Sequence, residues 1–62
     1  MLSKYDKEKL ENDCYESGRN AACRDWREGV PGYRRDRFMY RITREAYDLT
    51  TDILRDMHAA RN

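Results

Sequence analysis

From Asp36 to Asn62 the chain carries no glycine and no proline, so nothing in that stretch stops a helix once one has started. Across it Phe38, Met39, Ile42, Ala46, Leu49, Thr50, Ile53, Met57 and Ala60 recur at three- and four-residue spacings. That spacing lines up side chains on one face of a helix. Met39, Ile42, Ala46, Leu49 and Ile53 also satisfy a short heptad pattern. The expectation is one long amphipathic helix over about 36–61, capped by Asp36, with His58 near the negative end of its dipole. Its packing face is Phe38, Met39, Ile42, Ala46, Leu49, Ile53 and Met57. A second row, Tyr40, Tyr47 and Leu54, repeats at seven along the flank and widens the apolar surface.

The clearest break precedes this helix. Gly29-Val30-Pro31-Gly32-Tyr33 places Pro where φ must be fixed and Gly where φ must be positive, which suits a type II turn over 29–33. Upstream, Ser3 can cap a helix whose first turn holds Asp6. Over about 4–28, Leu10, Cys14, Tyr15, Gly18, Ala21, Ala22 and Trp26 fall within a stripe ~160° wide. Cys14, Gly18 and Ala22, spaced by four, form a ladder of small side chains that admits a close neighbour, with Trp26 closing its end. The stripe keeps its phase through Gly18, which favours one continuous helix. The alternative is a break at Gly18 with Asn20 capping a new helix, giving three helices in all.

Two helices of equal length, each ~37 Å long at 1.5 Å per residue, joined by a tight turn, imply an all-α antiparallel hairpin, with residues 1–62 as a single domain. The hairpin is lopsided, because the second helix is rich in large apolar side chains and the first is poor. A chain of 62 residues buries only ~60% of the surface its unfolded form exposes. Completion by dimerisation, or by docking on a larger partner, is therefore expected.

Charge narrows the function classes. Residues 1–23 hold four basic and five acidic groups (net −1), 24–44 hold seven Arg and three acids (net +4), and 45–62 hold two Arg and four acids (net −2). An acidic mimic of nucleic acid and a uniformly basic coat are both excluded. There is no apolar run at the start of a secretory kind and no stretch of ~20 apolar residues, so the cytoplasm is the expected compartment and no membrane contact is foreseen. Cys14 and Cys23 are nine residues apart, on opposite faces of one helix, which prevents their joining or sharing a metal. Cys14 reads as core and Cys23 as exposed. His58 has no second histidine to form a metal site. No phosphate-binding glycine loop, zinc spacing or catalytic pairing is present. The chain is thus expected to be non-enzymatic, with no cofactor, metal or small-molecule substrate.

The remaining oddity is the centre. Arg24, Arg27, Arg34, Arg35, Arg37, Arg41 and Arg44 are interleaved with Trp26, Tyr33, Phe38 and Tyr40, while all the Lys lie between Lys4 and Lys9. Arginine forks carboxylate or phosphate in a planar way and stacks on aromatic rings. Tyr33, Arg34, Arg35, Arg37, Tyr40, Arg41 and Arg44 are the candidate partner-binding set. Positive charge at Arg34 and Arg35, just ahead of a helix, opposes its dipole, which suggests another role for them. A competing account pairs Arg24 with Glu28, Arg41 with Glu45 and Arg44 with Asp48, all at i, i+4 and each worth ~0.2–0.5 kcal/mol. It leaves Arg34, Arg35 and Arg37 without partners, apart from the neighbouring Asp36.

The stretch Tyr15-Glu16-Ser17-Gly18, followed by small residues and then by Pro31 and Tyr33, resembles ribosome modulation factor proteins. Those are short, two-helix and basic, and they bind ribosomes. The Gly-Trp element expected downstream is missing here and the chain is less basic, so no residue role is carried over. The functional expectation is a small protein-binding regulator, adaptor or inhibitor that docks on a larger protein or on itself as a homodimer. The alternative is a small RNA-, DNA- or ribosome-binding protein that uses the same Arg/Tyr-rich centre.

Overall fold

The computed structural model describes residues 3–61. It is all-α, with two helices packed on each other and no strand among the described residues. Helix α1 spans Lys4–Glu28 and α2 spans Arg41–Arg61, with a 3-10 turn η1 at Arg35–Arg37 between them. Ser3 caps α1: its Oγ accepts from the Asp6 backbone N at 3.2 Å and donates to the Asp6 carboxylate at 3.0 Å. At the other end Gly29 takes φ 78°. Its N–H donates to the Trp26 carbonyl (3.1 Å) and that of Val30 to the Asp25 carbonyl (2.8 Å). These two bonds make a Schellman closure. The next turn forms as the sequence implies: Gly32 has φ 91°, and the Tyr33 N–H reaches the Val30 carbonyl at 3.1 Å.

Gly18 does not break α1, because it is needed inside the helix. A Cβ there would fall on the Thr43 carbonyl oxygen, 2.9 Å from the Ala46 Cβ and 3.0 Å from the Tyr47 N. The small-residue ladder is thus the seam between the helices: Cys14, Gly18 and Ala22 are buried against a face of α2 that includes the buried Thr43, Ala46 and Tyr47. Cys23, expected to be exposed, is half-buried, and both cysteines are free thiols.

Helix α2 begins five residues later than expected from Asp36. Asp36 lies in η1 rather than at an N-cap, Phe38 is extended (φ −81°, ψ 131°), and Met39 and Tyr40 precede the helix. The cause is tertiary: Arg35 and Phe38 are drawn onto Asp48 and Tyr47 further along α2.

The two helices pack on each other as an all-α hairpin. The connection through 29–40 is longer than the tight turn expected over 29–33 and brings the start of α2 back beside the middle of α1. Gly18 meets Thr43, Ala46 and Tyr47. Further along α1, Asp25 meets the Tyr47 hydroxyl. Trp26 meets His58 edge-on, with ring centroids 6.1 Å apart.

Candidate functional site

Two features stand out, one inside and one outside. The inner one is a polar hub where α1, the connection and α2 meet. Asp25 continues the Cys14–Gly18–Ala22 ladder at the next helical step and has no exposed surface. A buried carboxylate is costly unless it is paired and hydrogen-bonded, and this one is satisfied from three directions. The Tyr47 hydroxyl donates to it, and so does the Arg34 guanidinium. The Arg34 backbone N–H adds a third bond at 2.8 Å. The Tyr47 hydroxyl in turn accepts from the Gly32 N–H at 2.7 Å. Arg34 also reaches Glu28 at 3.0 Å.

The titration of these groups follows from their neighbours. Burial pushes the Asp25 carboxyl up, but the bonds from Tyr47 and Arg34 outweigh it and hold it below the usual aspartate range. Burial, together with the carboxylate beside it, raises the Tyr47 phenol. The bond from Arg34 lowers Glu28. Every buried polar side-chain atom among the described residues has a partner, so the hub is complete without a ligand.

The arginines expected to form a recognition patch divide into two groups. Arg34 is spent on the hub. Arg35 forks Asp48 at 2.7 and 2.9 Å and touches Asp36 at 2.9 Å; those carboxylates raise its pKa further. The supposed conflict with the helix dipole is therefore answered by carboxylates within the chain. The Arg44–Asp48 pair does not form, because Arg35 holds Asp48; the Arg24–Glu28 (3.4 Å) and Arg41–Glu45 (2.9 Å) pairs do form. Arg37 lies over the Tyr33 ring, 4.4 Å from its centroid. Tyr33, Tyr40 and Arg41 face solvent and Arg44 is half-buried.

The outer feature is apolar. Of the expected packing face, Ala46 is buried and Phe38 and Ile42 are half-buried. Met39 is exposed and lies before α2. Leu49, Ile53 and Met57 remain 57%, 49% and 53% exposed. They form one stripe at four-residue spacing, rotated away from the seam. With Tyr15 on α1, Leu49 and Ile53 wall an open groove of about 470 Å³ floored by Ala46 and Thr50, with Asn12, Glu16 and Arg19 at its mouth. His58 is exposed at the helix end, with its ring edge-on to Trp26.

Sequence reasoning missed the hub. Tyr47 was visible only as part of a flanking row, and Asp25 only as an acid among arginines. The available signal was the phase of Asp25, which falls in line with the small-residue ladder.

No protein-family model matches the chain, and no curated protein and no solved structure is significantly similar to it. No helix among the described residues is long and apolar enough to cross a membrane.

Proposed function

We propose that this chain is a non-enzymatic interaction protein, a regulator, adaptor or inhibitor, which binds another protein surface through the groove between Tyr15 on α1 and Leu49 and Ile53 on α2. The observation that carries this reading is where the apolar side chains lie. The buried apolar residues are Cys14, Ala22, Ala46 and Tyr47, while Leu49, Ile53 and Met57 stand half in water. Covering the exposed half of these three and of Tyr15 would contribute about 4 kcal/mol. Association itself costs roughly 4 kcal/mol or more. The partner must therefore add polar contacts, and Asn12, Glu16 and Arg19 at the mouth are placed to receive them. Arg37, Tyr40 and Arg41 are exposed as well and are of the residue types that anchor interfaces.

The apolar reading is favoured over phosphate binding because two of the arginines a phosphate site would use, Arg34 and Arg35, are held by Asp25, Glu28 and Asp48. The test compares partner capture from the native host by the wild-type chain, by Leu49→Lys/Ile53→Lys and by Arg37→Ala/Arg41→Ala. A specific protein should be lost in the first variant and weakened in the second. Capture of nucleic acid instead, abolished by the arginine changes and by moderate salt, would replace this reading.

A further inference from the structure

We infer that residues 30–40 form a strap that opens as a unit while α1 and α2 stay packed, and that the docked strap gates Arg34 and Arg35. The inference goes beyond the reading above and does not depend on the groove.

Three observations support it. First, the helices hold each other without the strap. Gly18 lies against Thr43, Ala46 and Tyr47, the Tyr47 hydroxyl donates to Asp25, and Trp26 meets His58. Each of these contacts joins α1 directly to α2, so none is lost when the strap leaves.

Second, the strap is anchored mainly by polar groups. Arg34 meets Asp25 and Glu28, and Arg35 meets Asp48. The Arg34 N–H bonds Asp25 and the Gly32 N–H bonds the Tyr47 hydroxyl. Apolar anchorage is slight: Phe38 is half-buried beside Tyr47, while Val30, Tyr33, Met39 and Tyr40 are 41%, 57%, 82% and 54% exposed. A segment with few buried apolar contacts opens at a lower free energy than the whole fold. Water admitted by the opening hydrates Asp25, so its charge is not left buried and unpaired.

Third, the strap is tied to itself. The N–H groups of Tyr33, Arg35 and Arg37 reach the carbonyls of Val30, Gly32 and Arg34. These overlapping turns link the residues that dock on the helices, Gly32, Arg34 and Arg35, into one body. In the docked form Arg34 and Arg35 are spent on carboxylates of their own chain. In the open form both guanidinium groups face a partner.

Amide hydrogen exchange, followed by NMR on the full chain at neutral pH, tests this at the bonded amides of Gly32, Tyr33, Arg34, Arg35 and Arg37. Corrected for intrinsic rates, these five should exchange alike and at least ~10-fold faster than Ala22, Ala46 and Tyr47 in the seam. Low urea should speed the seam amides and leave the strap nearly unchanged, because its opening exposes little surface. Arg35→Gln and Asp48→Asn remove the two sides of one exposed fork. Each should speed all five strap amides about 3-fold and leave the seam nearly unchanged. Gly32 and Arg34 decide the matter, since neither variant touches their acceptors, Tyr47 and Asp25. Strap amides that exchange at the seam's rate, with the seam's urea dependence, overturn the inference: the strap then leaves only when everything unfolds. So does a response to Arg35→Gln confined to Arg35 and its immediate neighbours, which is piecemeal fraying.

Discussion

The two sides of α2 are built on opposite principles. One side, Thr43, Ala46 and Tyr47, is sealed against the small residues of α1 and tied to Asp25 through a hydroxyl. The other, Leu49, Ile53 and Met57, carries more apolar side chains and stays open. Burial here is governed by shape and hydrogen bonding more than by hydrophobicity. Helices that approach over glycine and alanine leave little room in the seam for large aliphatic side chains, and Leu49, Ile53 and Met57 lie outside it. The comparison implies that substitutions in the seam act on folding and those on the stripe act on association.

The largest effect is expected at Gly18. An added methyl meets backbone atoms of Thr43 and Tyr47 rather than a flexible side chain, so Gly18→Ala should cost about 3 kcal/mol as the helices are forced apart. Urea denaturation of the wild type and variant at neutral pH measures this; a loss below about 1 kcal/mol would mean that the seam is looser than it looks.

Next comes the hub. Asp25→Asn removes the charge that pairs with Arg34, one quarter of whose side chain is exposed, and should cost about 2–3 kcal/mol, somewhat less than breaking a fully buried pair. The same residue gives the fold its acid sensitivity. The Asp25 carboxyl titrates below its ordinary value of 3.8 in the folded state, so the unfolded chain binds the proton more readily. Its stabilising contribution is complete above about pH 4, the unfolded-state range, and is lost as pH falls through the folded value. Glu28, lowered from 4.5, adds in the same direction. Stability measured between pH 7 and pH 2.5 should fall less steeply for Asp25→Asn than for the wild type. At the alkaline end the sign reverses. The Tyr47 phenol is raised above 10, the unfolded chain ionises first, and stability should decline above about pH 10.

A smaller effect belongs to the hydroxyl alone. Tyr47→Phe keeps the ring beside Phe38 and removes one bond to Asp25 and one from the Gly32 N–H; the expected cost is about 1–2 kcal/mol by the same denaturation assay. The smallest effect lies outside. Arg41→Ala breaks an exposed pair with Glu45 and should change monomer stability by under about 0.5 kcal/mol. If outer-face changes destabilised the chain as much as seam changes, the contrast between the two faces would fail.

Much of this architecture follows from local order in the chain. Ser3 with Asp6 marks one helix start. Gly29 and the Pro31-Gly32 pair mark its end and the turn that follows. The four-residue spacing of Cys14, Gly18 and Ala22 marks the seam. All of these depend on residues a few positions apart, and such short-range preferences are what a sequence displays. The excess apolar surface of the second helix was visible for the same reason.

What only the tertiary structure decided joins residues distant in sequence. Asp25 is buried because Tyr47 and Arg34 arrive there together, and no periodicity within α1 announces either. Helix α2 starts at Arg41 rather than Asp36 because Arg35 and Phe38 gain more from Asp48 and Tyr47 than from extending the helix. The same long-range contacts return the chain through 29–40 and set which face of α2 closes and which stays open. Local propensities at these positions differ by fractions of a kcal/mol, while leaving a buried carboxylate without its partners costs several times more. The long-range terms therefore prevailed.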